Sequence, residues 1–338
     1  MTTTIHFHEV GWRTTFQDLG RTGTERLGVP RGGAADQGAA RVANIFVGNP
    51  DTAPLIESLG GAVAFHASTD VLVSMTGSVG SISIDGVVVE QGQPLAIPAE
   101  AVVRVEAGAN AARTYIAFHG TLATERFLGS AAPDARMGFT QAITAGSDVD
   151  LATNITLIEQ PYLGRALFRM PVPDLAATSR DRVIRIVDCA YTDEIEGIRE
   201  LLAGSVYTVT NRSDHVGIRL DGPVLHPAHD QEIVSHGVPT GAIEIPHSDE
   251  LIVLGRYRTL TAGYPIVGFV TRQSQDLIGQ ARPGQELRFA WTDRAAARQA
   301  SLRFEAELTQ LAAAALGAFS YLGLEVDAAR THRAGLPQ

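Results

Sequence analysis

AVAFHASTDVLVSMTGSVGSISIDGVVVEQGQPLAIPAEAVVRVEAG, residues 62–108, decides the fold class. Its apolar residues alternate with polar ones or run in short β-branched blocks, punctuated by Asp-Gly and Gly-Gln-Pro. Within it, ISIDGVVVE predicts a hairpin, because Asp85-Gly86 accepts the positive φ of a two-residue turn. The second half continues in the same style with SVYTVTNRSD from Ser205, GIRLDG from Gly217, AIEIPHSDELIVLG from Ala242 and YPIVGFV from Tyr264. Such segments have ordinary strand lengths. The chain reads as mainly β.

Helices are few. Asp36 can cap AARVANIFV, with Val42, Ile45 and Phe46 on one face and Gly48 just past the end. Thr192 to Gly204 predicts one helix with acids in its first turn and a glycine stop. From 294 to about 317 an Ala-rich helix carries Leu302, Leu308, Leu311 and Leu316. An irregular stretch over Gln160–Asp181 separates the two β-rich halves. The expected division is therefore 1–180, 181–293 and a C-terminal helix and tail over 294–338. Gly28-Val29-Pro30-Arg31-Gly32 is echoed by Gly237-Val238-Pro239-Thr240-Gly241, a hint of duplication. Two barrels facing one another would make a cleft suited to a ligand.

The formal charge of −10 argues against nucleic acid or an anionic membrane surface as the main partner. All 27 basic residues are arginine. A chain without lysine has no Schiff-base amine, no phosphate-loop lysine and no attachment point for covalent biotin. Cys189 is the single cysteine, so no disulfide framework can form within the chain, which fits a reducing compartment. Cys189 follows the apolar run VIRIVD and is expected to be a buried, inert thiol. MTTTIHFHEVGWRTT lacks the basic and apolar regions of a signal peptide, and no apolar run reaches the roughly 20 residues that span a bilayer. A cytoplasmic location is expected.

Several chemistries lack their motifs: there is no G-x-S-x-G elbow and no H-E-x-x-H helix. His226, His229 and His236 lie close together in HPAHDQEIVSH, but prolines and an acidic loop spoil any helical face and no second cluster completes a ligand set. No metal site is expected.

TTFQDLGRTGTERLGVPRGGAADQGAARVANIFVGNPD, residues 14–51, sets Gln, Asp, Arg and Asn among glycines without a clean period. Asp36 either caps a helix or points into a site. Asn44 and Asn49 either satisfy loop backbone or face a ligand. Arg21, in a net-acidic chain, suits contact with a carboxylate or phosphate. Glu57, inside the apolar strand PLIESLGG, is either paired and buried or functional.

The run Thr14-Thr15-Phe16-Gln17-Asp18-Leu19-Gly20-Arg21 opens a series continued by Gly28-Val29-Pro30, Gly33-Ala34, Asp36, Ala43-Asn44, Val47-Gly48-Asn49-Pro50 and Glu57. Together these resemble the carboxyltransferase-like family that includes the C component of bacterial 5-oxoprolinase. Its relatives include the carboxyltransferase domain of urea carboxylase, often labelled allophanate hydrolase subunit 2, and the antagonist of a sporulation kinase inhibitor. The likeness extends through Met75-Thr76-Gly77, Tyr115-Ile116-Ala117, Leu128-Gly129-Ser130, Gly237-Val238-Pro239, Gly263-Tyr264-Pro265 and Gln280, and covers residues from about 10 to 292.

The resemblance implies two cyclophilin-like β-barrel subdomains. It implies ATP-dependent opening of 5-oxoproline to glutamate, in complex with the other two components of such an enzyme: a B-like, kinase-inhibitor-like protein and an A-like protein. ATP would be bound in that complex. Asp18 and Glu57 would handle protons, while Gln17, Arg21, Asp36, Arg219 and Tyr264 would hold a small carboxylate or amide substrate. The alternatives are a carboxyl-transfer protein using biotin on another chain, or a non-catalytic regulator that grips a partner. The second half departs from the family pattern: His236 replaces a Glu, Tyr257 and Ser274 each replace an Asp, and Glu244 stands where Gln is common. If those acids transfer protons, the chemistry is altered.

Overall fold

A computed structural model describes residues 2–154, 166–177, 183–224, 233–246 and 250–324. The chain is mainly β and forms two compact units, the first from Met1–Leu19, Gln37–Leu175 and Glu305–Gln338, the second from Gly20–Asp36 and Ala176–Phe304. Gly20–Asp36 thus belongs with the second unit, which a contiguous division at 180 does not give. Parts of the irregular stretch, at 160–165 and 178–181, lie outside the described residues, as do His226 and His229.

The first unit is built from two antiparallel sheets of seven and six strands. In the first sheet, Thr2–Glu9 pairs with Asp148–Ala152 on one side and Val63–Ala67 on the other. In the second, Arg113–Phe118 lies between Leu55–Leu59 and Val71–Gly77. One core takes Ile5, Phe7, Phe65 and Val103 from the first sheet and Ile56, Val73, Met75 and Ile116 from the second. The expected hairpin is present: Ser83 pairs with Val88 and Ile84 with Val87, and Asp85 and Gly86 both take positive φ, 50° and 78°. Helix α1, Gln37–Phe46, is buried along its whole length. That leaves Arg41 and Asn44 in need of internal partners.

In the second unit seven strands close a barrel in the order Val183–Val187, Ile266–Val270, Ala242–Glu244, Leu251–Leu254, Gly217–Asp221, Tyr207–Val209 and Glu286–Trp291. Closure comes from a parallel pairing, Val183–Val187 against Glu286–Trp291. Ile184, Leu220, Ile243, Val253 and Phe289 fill the interior.

The helix expected over Thr192–Gly204 is two pieces, a 3₁₀ turn at Thr192–Glu194 and helix α2 at Ile198–Gly204. Gly197 takes φ 77°, a left-handed conformation that ends any continuous helix there. Helix α3 covers Arg272–Gly279, and helix α4 runs over Arg294–Tyr321, past the expected end. On α4 the buried positions are Leu308, Leu311, Ala315 and Phe319, whereas Leu302 is exposed. Cys189 is half-buried rather than buried, and its thiol donates to the Ile266 carbonyl at 3.0 Å.

The segment 20–36 is strapped to the rest of the second unit by its backbone. Gly32 N–H donates to the Arg256 carbonyl at 3.1 Å, and Arg256 Nε donates to the Ala35 carbonyl at 3.2 Å. Gly279 closes the strap, since a Cβ there would sit 2.3 Å from the Ala35 carbonyl oxygen. Gly279→Ala is therefore expected to lower stability by about 1–3 kcal/mol through forced backbone movement. Gly237→Ala, which meets nothing within 4 Å, is the near-neutral control. Denaturant unfolding of the two variants checks this, and equal midpoints would disprove the tight fit.

Candidate active site

The polar block of residues 14–51 divides between the units. Gln17, Asp18 and Glu57 fall in the first, and Arg21, Asp36, Arg219 and Tyr264 in the second.

Asp18 is buried at the end of the strand Arg13–Gln17. Its carboxylate accepts from Ser130 Oγ at 2.5 Å and from the Ala131 N–H at 2.9 Å. Ser130 Oγ in turn accepts from the Ala132 N–H at 3.0 Å. Leu128 and Gly129 make the tight turn that delivers these donors, both at positive φ. Two donors fix the carboxylate in one orientation, which is what a positioned proton acceptor or a loop anchor both need. Gln17 donates from Nε2 to Thr15 Oγ1 at 3.2 Å, while its buried Oε1 has no donor among the described residues.

Glu57 lies on the strand Leu55–Leu59, opposite Tyr115 in the sheet. Tyr115 Oη donates to Oε2 at 2.8 Å, and Arg113 Nε lies 3.4 Å from Oε1. Of the two possibilities for an acid in an apolar strand, it is paired, and half-buried rather than buried.

In the second unit Arg21 is fully buried, and Asp36 accepts from Gln280 Nε2 at 3.0 Å. That bond ties the end of segment 20–36 to the end of α3. Arg219 sits on the barrel strand Gly217–Asp221 and is ion-paired to Glu250, a buried carboxylate that Arg212 also reaches at 3.0 Å. Tyr264 is partly exposed beside the short pairing of His236–Gly237 with Thr261–Ala262. The His236 ring lies tilted against that of Tyr191 with centroids 6.3 Å apart, and its buried Nε2 has no partner among the described residues.

Asn44 and Asn49 satisfy backbone. Asn44 Nδ2 donates to the Ala53 carbonyl, Asn49 Nδ2 to the Phe118 carbonyl, and Asn49 Oδ1 accepts from the Gly120 N–H. A cavity of about 130 Å³ in the first unit is lined by Arg41, Asn49, Asp51, Glu305, Leu308 and Thr309. None of the residues expected to handle substrate lines it.

Sequence reasoning missed the arginines gathered in the second unit. Arg31 lies within electrostatic reach of Arg256, Arg272 and Arg258, and of the Glu25 carboxylate. Their separation along the chain hides them. The visible signal is the Arg that follows the first Gly-Val-Pro, together with the pair Arg256 and Arg258 ahead of Gly263-Tyr264-Pro265.

The model of the carboxyltransferase domain, subdomains A and B, matches residues 27–291. This chain belongs to that family. Among its relatives, the C component of Escherichia coli 5-oxoprolinase is 25% identical over 289 residues, covering 82% of this chain and 88% of that protein. Urea amidolyase of Saccharomyces cerevisiae is 24% identical over 316 residues, 85% of this chain but 16% of that one. The crystal structure of Kluyveromyces lactis urea amidolyase shares the carboxyltransferase-domain fold with a TM-score of 0.79 at 21% identity, over 91% of this chain and 20% of its own. The crystallised protein TTHA0988 matches at 28% identity with a TM-score of 0.71, and the chain spans 56% of its length. Among the described residues no helix is long and apolar enough to cross a membrane.

Proposed function

We propose that this carboxyltransferase-domain chain is the C-like component of a cytoplasmic, ATP-dependent 5-oxoprolinase, acting with B-like and A-like partner proteins. The observation that carries this is the extent of the match to a free-standing C component, 82% of this chain against 88% of the relative. Similarity to urea amidolyase spans only 16–17% of those larger proteins.

Ring opening of a lactam at neutral pH needs the carbonyl activated. Phosphorylation of the lactam oxygen by ATP, with ADP leaving, makes the carbon attackable by water. The adduct then expels the ring nitrogen, which takes a proton, and the acyl phosphate left behind is hydrolysed by a second water to the carboxylate and inorganic phosphate. The residues suited to this are carboxylates for the protons and guanidinium groups for the anions. Asp18 and Glu57 take the first role. Arg21 and Arg219, with Gln17, Asp36 and Tyr264, take the second. Asp18 is held by two donors and Glu57 by a phenol and a guanidinium, so both carboxylates are pre-oriented without rearrangement.

The alternative reading is carboxyl transfer with biotin carried on another chain, favoured by the name of the family. A binding role is favoured by His236, Tyr257 and Ser274, which replace acids of the family pattern.

One assay separates the three. The chain is co-expressed with the proteins encoded beside it, and glutamate formed from 5-oxoproline is measured with and without ATP. ATP-dependent glutamate is expected, with Arg21→Ala and Arg219→Ala each lowering turnover tenfold or more at unchanged complex yield. Full turnover in both variants removes the clamp. A stable complex without turnover selects the binding role, and biotin-dependent carboxylation of urea selects the transfer reading.

A further inference from the structure

Several buried charges of this protein are closed into pairs: Arg41 with Asp51 and Glu305, Arg113 with Glu57, Arg256 with Asp276. Arg258 is different. It is 7% exposed, and its Nε donates to the Val238 carbonyl at 2.7 Å. Its Nη1 is buried with no hydrogen-bond partner among the described residues. A guanidinium withdrawn from water with a donor unused is costly unless something anionic completes it.

Its surroundings add positive charge. The two Gly-Val-Pro loops, a sequence echo for which the fold alone gives no reason, both contribute here. Val238 of the second anchors Arg258, and Arg31 directly follows the first. Gly32 N–H bonds to the Arg256 carbonyl, which fixes the Arg31 loop beside the segment bearing Arg256 and Arg258. Arg272 opens α3, the helix whose Asp276 pairs with Arg256 at 2.8 Å. Arg31 thus feels three other guanidinium groups, those of Arg256, Arg272 and Arg258, and the carboxylate of Glu25, which acts on Arg258 too. Burial, then the neighbouring Arg256, lowers the Arg31 pKa below its ordinary value, and burial lowers that of Arg258. Both shifts mark cations that a bound anion would relieve.

We infer that the second unit holds an oxyanion site at Arg258, Arg31 and Arg272, which takes the carboxylate or phosphoryl group of a small substrate. Arg256, spoken for by Asp276 and the Ala35 carbonyl, positions the Arg31 loop rather than the anion. The site deepens the proposed function and rests on it for the occupant: in that reading it takes the carboxylate of 5-oxoproline, the part of the substrate that does not react, held so that the lactam end is free for chemistry.

The test is calorimetric titration of the intact chain, without partners, with three probes: 5-oxoproline, 2-pyrrolidinone and inorganic phosphate. 2-Pyrrolidinone has the same lactam ring and lacks the carboxylate. The site predicts that 5-oxoproline binds at least tenfold more tightly than 2-pyrrolidinone, and that this preference falls as salt is raised. Arg272→Ala, at an exposed position, is expected to weaken binding about tenfold with an unchanged melting temperature. Arg258→Met is expected to abolish it. If Arg258→Met fails to fold, the Arg272→Ala result decides alone. Phosphate binding that depends on Arg272, without 5-oxoproline binding, supports the site and removes 5-oxoproline as its occupant. Equal affinity for the two lactams together with no phosphate binding overturns the site, as does anion binding that Arg272→Ala leaves unchanged. Because partners and ATP are absent, failure of glutamate formation in the complex leaves this result standing, and the reverse also holds.

Discussion

Arg41→Met is expected to destabilise the protein by about 3 kcal/mol, at the lower end of the range for breaking a buried ion pair. Arg41 stands on α1, and its side chain is 7% exposed. Its Nε donates to Asp51 Oδ2 at 2.6 Å, and its two terminal nitrogens donate to the two oxygens of Glu305 at 2.8 Å each. A planar guanidinium engaging one carboxylate with two parallel bonds is among the stronger side-chain contacts available. The contact also crosses 264 residues of sequence, joining α1 to α4. Met keeps most of the aliphatic volume and removes the charge. Asp51 and Glu305 would then face each other as like charges with their shared partner gone. Both are partly exposed and can regain some water, which is why the lower end of the range applies. The double variant Arg41→Met with Glu305→Leu should recover part of the loss, since it removes the abandoned carboxylate. Urea unfolding of both variants measures the coupling. A single variant within 1 kcal/mol of the unmodified chain would show that the network contributes little.

The strands were legible because alternation and turn chemistry are local. Val71–Gly77 and the Asp85-Gly86 turn needed no distant information. The break at Gly197 was not legible, because acids in a first turn and apolar spacing fit one continuous helix as well as two short pieces. The candidate site was legible only as residue types. Asp18 finds its donors 112 and 113 residues away, and no pattern within residues 14–51 announces Ser130. The placement of residues 20–36 with the second unit depends on Gly279 leaving room for Ala35, a fit visible only in three dimensions. The same holds for the oxyanion site. Its arginines come from positions 31, 258 and 272. What sets them apart from the other arginines of a lysine-free chain is that Arg258 and Arg272 both act on Arg31 and that Arg258 keeps an unused donor, which spacing along the chain does not reveal.

Glu244→Gln is expected to leave stability at pH 4 unchanged and to raise it by about 3 kcal/mol above pH 7. Glu244 ends the barrel strand Ala242–Glu244 and is 3% exposed. Side chains alternate along a strand, so Glu244 shares a face with Ala242 while Ile243 enters the barrel core. That face is the apolar cluster of Val238, Ala242, Ile252, Leu254 and Ile266, and the residues paired with Glu244 across the sheet are Ile252 and Ile266. Oε1 has no hydrogen-bond partner among the described residues. Desolvation pushes the carboxyl from its ordinary 4.5 up to about 7. Because the folded value lies above the unfolded one, the folded state binds the proton more tightly. Stability is fully present below pH 4.5 and is lost as pH rises from there through 7. The interval of about 2.5 pH units corresponds to about 3 kcal/mol at 1.36 kcal/mol per unit. Glutamine matches the shape of the protonated acid, carries no proton to lose, and is the residue common at this position in the family pattern. Urea unfolding at pH 4, 7 and 8.5 should therefore show the two proteins converging at the acid end, parting between pH 4.5 and 7, and staying apart by a constant amount above that. Parallel curves across that range would mean that the carboxylate finds water or a donor in solution, and that the apolar face around it is less closed than its neighbours imply.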